Sequence, residues 1–209
     1  MLLIVGLGNI GKSYCNTRHN AGFMFVDRLL ESGGGGSGGN AGVEGKRFEY
    51  QSKFDAEVCK FNIQTLSSPL LQSMITRHKE QQEQVILVKP SGYMNNSGYA
   101  VAKVMNFYKI SPDNLYVFHD DIDLVCGKVK IKNNGSDGGH KGIRSIDYSI
   151  GSKHYARIRI GIGRPTDGDR MPVSDYVLQK FGQDEILLLH DVFNQILTDG
   201  SIHSRIKSL

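Results

Sequence analysis

Three short apolar runs constrain this chain most: Leu2-Leu3-Ile4-Val5, Val85-Ile86-Leu87-Val88 and Leu115-Tyr116-Val117-Phe118. At four residues each they are short for helices, and they lack the alternation of a half-exposed strand. Each therefore reads as a strand buried on both faces. Gly6 ends the first and Pro90 stops the second. After the first, Phe23, Val26, Leu29 and Leu30 recur at helical spacing; after the second, Val101, Val104, Met105 and Tyr108 do so. Strands alternating with helices predict one α/β domain over residues 1–209, with a twisted, mostly parallel (mixed) sheet flanked by helices.

The remaining segments fill in this plan. Asn16 or Thr17 is placed to cap the first helix, which ends near Glu31. Residues 32–45 hold eight of the 25 glycines and read as a flexible insertion. Residues 47–54 and 57–63 read as strands, and 67–84 as a polar surface insertion with a poor apolar face. Residues 128–132 alternate strictly, as a half-exposed strand with a basic face does. Residues 143–150 predict a short helix. Residues 155–162 predict a strand with Arg157 and Arg159 on one side, and 183–198 a last long helix.

With 39% hydrophobic and 22% charged residues, the chain is neither disordered nor built for a membrane. The net charge of +4 is unevenly spread: residues 128–170 carry +6 and the rest −2. Such a concentration suits a polyanion, although a solvated charged face is the plainer alternative. Cys15, Cys59 and Cys126 are odd in number and widely spaced, which fits a reducing compartment rather than a disulfide framework. A cytoplasmic location is expected, with the mitochondrion as the alternative for a eukaryotic chain, although no presequence is evident.

The octet from Gly6 to Ser13 satisfies both G-x-G-x-x-G and G-x-x-x-x-G-K-[ST]. A phosphate loop needs its Lys and Ser on the first turn of a helix, yet Tyr14 to His19 reads as loop. A dinucleotide site needs an acid at the end of a second strand, but Asp27 and Glu31 fall within or at the end of a helix. Gly35-Gly36-Ser37-Gly38-Gly39 imitates a nucleophile elbow without the flanking strand and helix.

Polar clusters gather instead behind the apolar strands: Asn9 in the first loop, Tyr93-Met94-Asn95-Asn96 and His119-Asp120-Asp121. His19 lies at the entry to the first helix and Gly138-Gly139-His140-Lys141 behind the basic strand. These can meet at one rim of a parallel sheet. Imidazole accepts a proton from water near neutrality, a carboxylate fixes its tautomer, and side-chain amides donate to a developing oxyanion. No serine or cysteine has a nucleophile's context, so attack by water is the economical chemistry. Each residue also has a structural alternative as cap, turn or buried hydrogen-bonder. His119, Asp120, Asp121 and Asp123 offer metal ligands, but consecutive strand residues point to opposite faces.

Taken together, Val5-Gly6-Leu7-Gly8-Asn9 and Thr17-Arg18-His19-Asn20-Ala21-Gly22 resemble the signature of bacterial-type peptidyl-tRNA hydrolases. So do Tyr93-Met94-Asn95-Asn96-Ser97-Gly98, His119-Asp120-Asp121-Ile122-Asp123-Leu124, Gly138-Gly139-His140 and Arg157-Ile158-Arg159-Ile160-Gly161-Ile162-Gly163. The resemblance implies hydrolysis of the ester between a peptide and the terminal ribose of tRNA, by a monomer, with no metal or cofactor. It implies that His19 is the general base and Asp120 its orienting partner. Asn9, Asn95, Met94 and Lys141 then position substrate and water. Tyr14 and Tyr93 lie by the tRNA 3′ end, and Lys132 and Arg159 clamp a phosphate. Two positions depart from the family pattern, Ile10 in place of Pro and Lys141 in place of Asn. The loss of that Asn keeps open a second reading, an RNA-binding relative without catalysis.

Overall fold

A computed structural model gives the structure of residues 1–32, 46–62, 68–76, 84–165 and 171–199. Seven strands form one sheet: β1 (Leu2–Gly6), β2 (Glu49–Gln51), β3 (Ala56–Asn62), β4 (Gln84–Pro90), β5 (Leu115–Asp121), β6 (Val129–Lys132) and β7 (Ala156–Gly161). Their spatial order is β2-β3-β4-β1-β5-β7-β6. The four central strands β4, β1, β5 and β7 are parallel, and β2, β3 and β6 add antiparallel edges. The three apolar runs are the heart of that parallel core. They are buried throughout, as strands covered on both faces must be.

Helices α1 (Ala21–Ser32), α2 (Pro69–Thr76) and α6 (Gln183–Thr198) cover one face. Helices α3 (Ser97–Tyr108) and α4 (Lys141–Ile150) cover the other, and α5 (Val173–Leu178) is a short extra turn. Phe25 of α1 stacks on Phe118 of β5 at 4.0 Å between ring centroids and meets Phe193 of α6 edge-on at 5.6 Å. On the opposite face, α4 approaches α3 at Gly98, where an added Cβ would lie 2.0 Å from the Ser145 carbonyl oxygen.

The first-loop glycines serve the same purpose of close approach. A Cβ on Gly22 would lie 2.2 Å from the Phe118 carbonyl oxygen and 2.4 Å from the Leu7 nitrogen, and one on Gly6 would lie 2.4 Å from the Gly22 carbonyl oxygen. The pattern that mimics a nucleotide loop therefore lets α1 lie against β1 and β5. Lys12 and Ser13 are exposed on a 3-10 turn, and α1 begins only at Ala21, after a second such turn at residues 18–20.

The structure corrects two expectations. Helix α1 is not capped by an Asn16 or Thr17 side chain; Thr17 precedes a 3-10 turn and its hydroxyl donates to the Tyr14 carbonyl oxygen at 2.8 Å. Nor is 67–84 simply a polar insertion, because α2 lies within it and buries Leu70, Leu71 and Met74 completely in the core. Its apolar stripe is narrow and embedded in polar sequence, which hid it. Residues 63–67 and 77–83, and the glycine-rich stretch from 33 to 45, lie outside the described residues. Leu70→Ala is expected to destabilise the fold by about 3 kcal/mol, measured by urea unfolding; a surface insertion would show almost no change.

Candidate functional site

The C-terminal ends of β1, β4 and β5 open into a cleft of about 1340 Å³. Its walls include Asn9, Tyr14, His19, Tyr93, Met94, Asn95, Asp120, Lys132, Lys141 and Arg159. Every site residue expected from the sequence therefore faces this one cleft. At its centre is Asp120, only 3% exposed at the end of β5. His19 Nδ1 lies 2.9 Å from each Asp120 carboxylate oxygen. The carboxylate accepts a hydrogen bond from the Nδ1–H, leaving the Nε2 lone pair of His19 for the cleft.

His140, within the Gly138-Gly139-His140 motif, has a part that the motif alone does not declare. His140 caps α4: its Nδ1 accepts from the Gly142 and Ile143 amides at 3.1 and 3.3 Å. With Nδ1 occupied as an acceptor, the proton sits on Nε2, which donates to Asp120 Oδ1 at 2.9 Å. One carboxylate thus receives two imidazole N–H groups. The helix-cap position of a histidine right after two glycines was the available signal.

Burial alone would raise the pKa of Asp120, but the facing His19 and His140 imidazoles hold it well below the usual carboxylate range. For His19, burial opposes the charged ring. The Asp120 charge and hydrogen bond outweigh it, so its pKa rises above the ordinary value, with the Lys141 ammonium pulling the other way. Burial and the facing His140 ring push the buried His119 down to about 3, and its Nδ1 contacts the Asp120 carbonyl oxygen at 2.8 Å.

The flanking amides are held in place. Asn9 is clasped by Asn20, whose Oδ1 accepts the Asn9 amide at 2.8 Å and whose Nδ2 donates to the Asn9 carbonyl at 3.0 Å. Asn9 Oδ1 in turn accepts the Met94 amide at 2.9 Å, which fixes its side chain and leaves its NH2 group as the free donor. Met94 is buried, whereas Tyr93 and Asn95 are exposed on the cleft wall.

The basic segment divides in two. Arg157 is buried, braced by Asp147 at 2.9 Å and by the Gly135 and Ser136 carbonyls, so it is structural. Arg159 is paired with Asp121, and Arg144 and Arg164 with Asp137 and Asp123. Lys128, Lys130, Lys132 and Lys141 are exposed, so the outward charge comes mainly from lysines.

The segment carrying His19 is clipped to distant chain. Arg18 forms a two-pronged ion pair with Glu185 at 2.8 and 2.9 Å, donates to the Lys180 carbonyl, and lies 4.5 Å over the Tyr176 ring. Glu185 also accepts the Gly182 amide at 2.7 Å, so the clip ends at the start of α6.

Ligand atoms of His19, Asp120 and His140 lie within 4.8 Å of one another, a spacing that could hold a metal. An ion there would have to displace both imidazole protons that now bind the carboxylate.

The fold and this cleft define an α/β enzyme in which a buried carboxylate holds a histidine at the rim of parallel strands. The sequence profile described as "Peptidyl-tRNA hydrolase" matches residues 3–202. The Lactiplantibacillus plantarum peptidyl-tRNA hydrolase is 39% identical over 91% of this chain and 86% of its own length. The Staphylococcus aureus enzyme is 38% identical over 92% and 85%. The crystal structure of peptidyl-tRNA hydrolase from Acinetobacter baumannii superposes with a TM-score of 0.75 at 31% identity, covering 100% of this chain and 93% of the other. The chain belongs to the peptidyl-tRNA hydrolase family and is a hydrolase. Among the described residues, no helix is long and apolar enough to cross a membrane.

Two predictions follow from this geometry. For His19 acting as a base, which must be neutral, the acid limb of kcat/KM is expected above the ~6.5 of free imidazole. Asp120→Asn should move that limb down and Lys141→Asn should move it up, both read from pH–rate profiles. Arg18→Ala is expected to cost about 2 kcal/mol in urea unfolding, because the guanidinium's hydrogen bonds and its packing on Tyr176 are lost together; an unchanged midpoint would show that the clip holds nothing.

Proposed function

We propose that the chain cleaves the ester joining a peptide to the 3′-terminal ribose of tRNA, using a water molecule activated by His19. The observation that carries this reading is the His19–Asp120 contact, with Nε2 left for the cleft that Asn9 and Asn95 also line. His19 Nε2 takes a proton from water as the oxygen attacks the ester carbonyl carbon. The carbonyl π electrons move to oxygen, giving a tetrahedral oxyanion. The Asn9 amide and the Lys141 ammonium are suited to receive that charge, with Asn95 and Met94 placing the peptide end and the water. On collapse the bond to the ribose oxygen breaks, and the imidazolium returns the proton to that oxygen. Asp120 stays ionised, steadying the charged ring.

In this reading Tyr14 and Tyr93 offer rings to the terminal nucleotide, and Lys132 and Arg159 engage a tRNA phosphate. Asp121 holds the Arg159 guanidinium in place and so gives it a fixed direction. The enzyme acts as a monomer in the cytoplasm and uses no metal.

The test is cleavage of N-acetyl-aminoacyl-tRNA beside the unblocked form, with EDTA present. Wild type should cleave the blocked substrate, and His19→Ala should lose roughly 10²–10⁴-fold in kcat. Turnover that survives in that variant, or that stops with EDTA, overturns the mechanism. Lys132→Ala should raise KM, leave kcat nearly intact, and reduce the salt slope of binding by about one. An unaltered slope removes Lys132 from the clamp.

A further inference from the structure

Away from the cleft, the outer face of α3 carries an exposed stripe that the catalytic reading does not use. Tyr99, Lys103 and Phe107 stand at i, i+4 and i+8, one above another over about 12 Å. Tyr99 is 59% and Phe107 58% exposed. The lysines cover these rings: Lys103 Nζ lies 4.2 Å from the Tyr99 centroid, and Lys53, from the β2–β3 turn, 4.2 Å from that of Phe107. Lys60 of β3 adds a third ammonium, 5.0 Å over Tyr108. Among the described residues, none of these three lysines has a carboxylate partner within 4.0 Å.

We propose that this stripe, Tyr99 and Phe107 with Lys53, Lys60 and Lys103, is a second nucleic-acid contact that takes unpaired nucleotides of a single-stranded RNA segment. Exposed rings flanked by unneutralised ammonium groups are complementary to a chain of bases and phosphates, and stacking accepts any base. A cation–π contact at an exposed site is weak. A phosphate therefore draws each lysine off its ring, and the freed ring face takes a base. The back of the Phe107 ring is fixed for this. Phe107 meets Phe54 edge-on at 5.3 Å, and α3 is anchored beneath by Val101, Val104 and Met105. In the chain, Tyr99 comes three residues after Asn96, the end of the 3-10 turn that carries Met94 and Asn95.

The proposal takes its ligand class from the reading of the substrate as a tRNA, and its test is separable from that reading. A fluorescent, unstructured octa-adenylate is titrated into the full chain by anisotropy. A 4-thiouridine-containing octamer is crosslinked and the attached peptides are mapped. Expected are crosslinks within residues 97–108 and about tenfold weaker binding for each of Tyr99→Ala and Phe107→Ala. Lys53→Glu with Lys103→Glu should flatten the salt slope. The Tyr99→Ala melting curve should match wild type, since that ring is more than half exposed. Turnover on a short blocked aminoacyl-CCA trinucleotide should also be unchanged, whereas His19→Ala should lose turnover and keep octamer binding. A wild-type chain that ignores the octamer overturns the proposal and leaves the stripe to a protein partner. Unchanged affinity in the Tyr99/Phe107 double variant, or crosslinks confined to residues 128–132, overturns it equally.

Discussion

Everything at the cleft depends on keeping one carboxylate ionised where water scarcely reaches it. An unpaired charge at the buried Asp120 would cost several kcal/mol, and the molecule meets that demand with two imidazole N–H groups from opposite faces of the sheet. His19 arrives from the turn before α1 and His140 from the cap of α4. Because both must reach the same pair of oxygens, the end of β5, the entry of α1 and the start of α4 are fixed to one another. The site and the tertiary structure are to that extent the same set of bonds.

Around this point lies a frame that fixes position without touching the cleft's chemistry. The absent Cβ atoms of Gly6 and Gly22 set how closely α1 lies against β1 and β5. The Arg18 clip ties the His19 turn to the head of α6, and the backbone hydrogen bond from Arg18 N to the Gln179 carbonyl at 2.9 Å reinforces it. The Asn20–Asn9–Met94 relay carries the same turn across to the wall behind β4. His19 is thus held from three directions at the rim of the cleft.

The parallel core was legible because burial on both faces leaves an uninterrupted apolar signature, as in residues 85–88. The rim was legible because its polar clusters follow those runs directly, and Asn9, His19, Asn95 and Asp120 do meet in one cleft. What could not be read has specific causes. Among its described residues, helix α2 announces itself with only three buried apolar side chains, too few to stand out in a polar stretch. Arg157 and Arg159 look alike in an alternating strand, yet one is a buried brace and the other is paired at the rim. Their partners, Asp147 and Asp121, lie 10 and 38 residues away, and sequence periodicity carries no information about such pairings. The role of His140 depends on which ring nitrogen caps a helix, which only three dimensions decide.

The way the strands run has a practical corollary. Strand β3 closes at Asn62 and β4 opens at Gln84, and these two residues pair at the end of the sheet remote from Asp120. Helix α1 likewise leads away from the rim to Ser32. The chain thus leaves β3 at Asn62 and α1 at Ser32 by the pole opposite the chemistry. A reporter or foreign domain grafted at either exit would sit a full strand length from the reacting ester, so the molecule can be lengthened at that end without redrawing its catalytic rim.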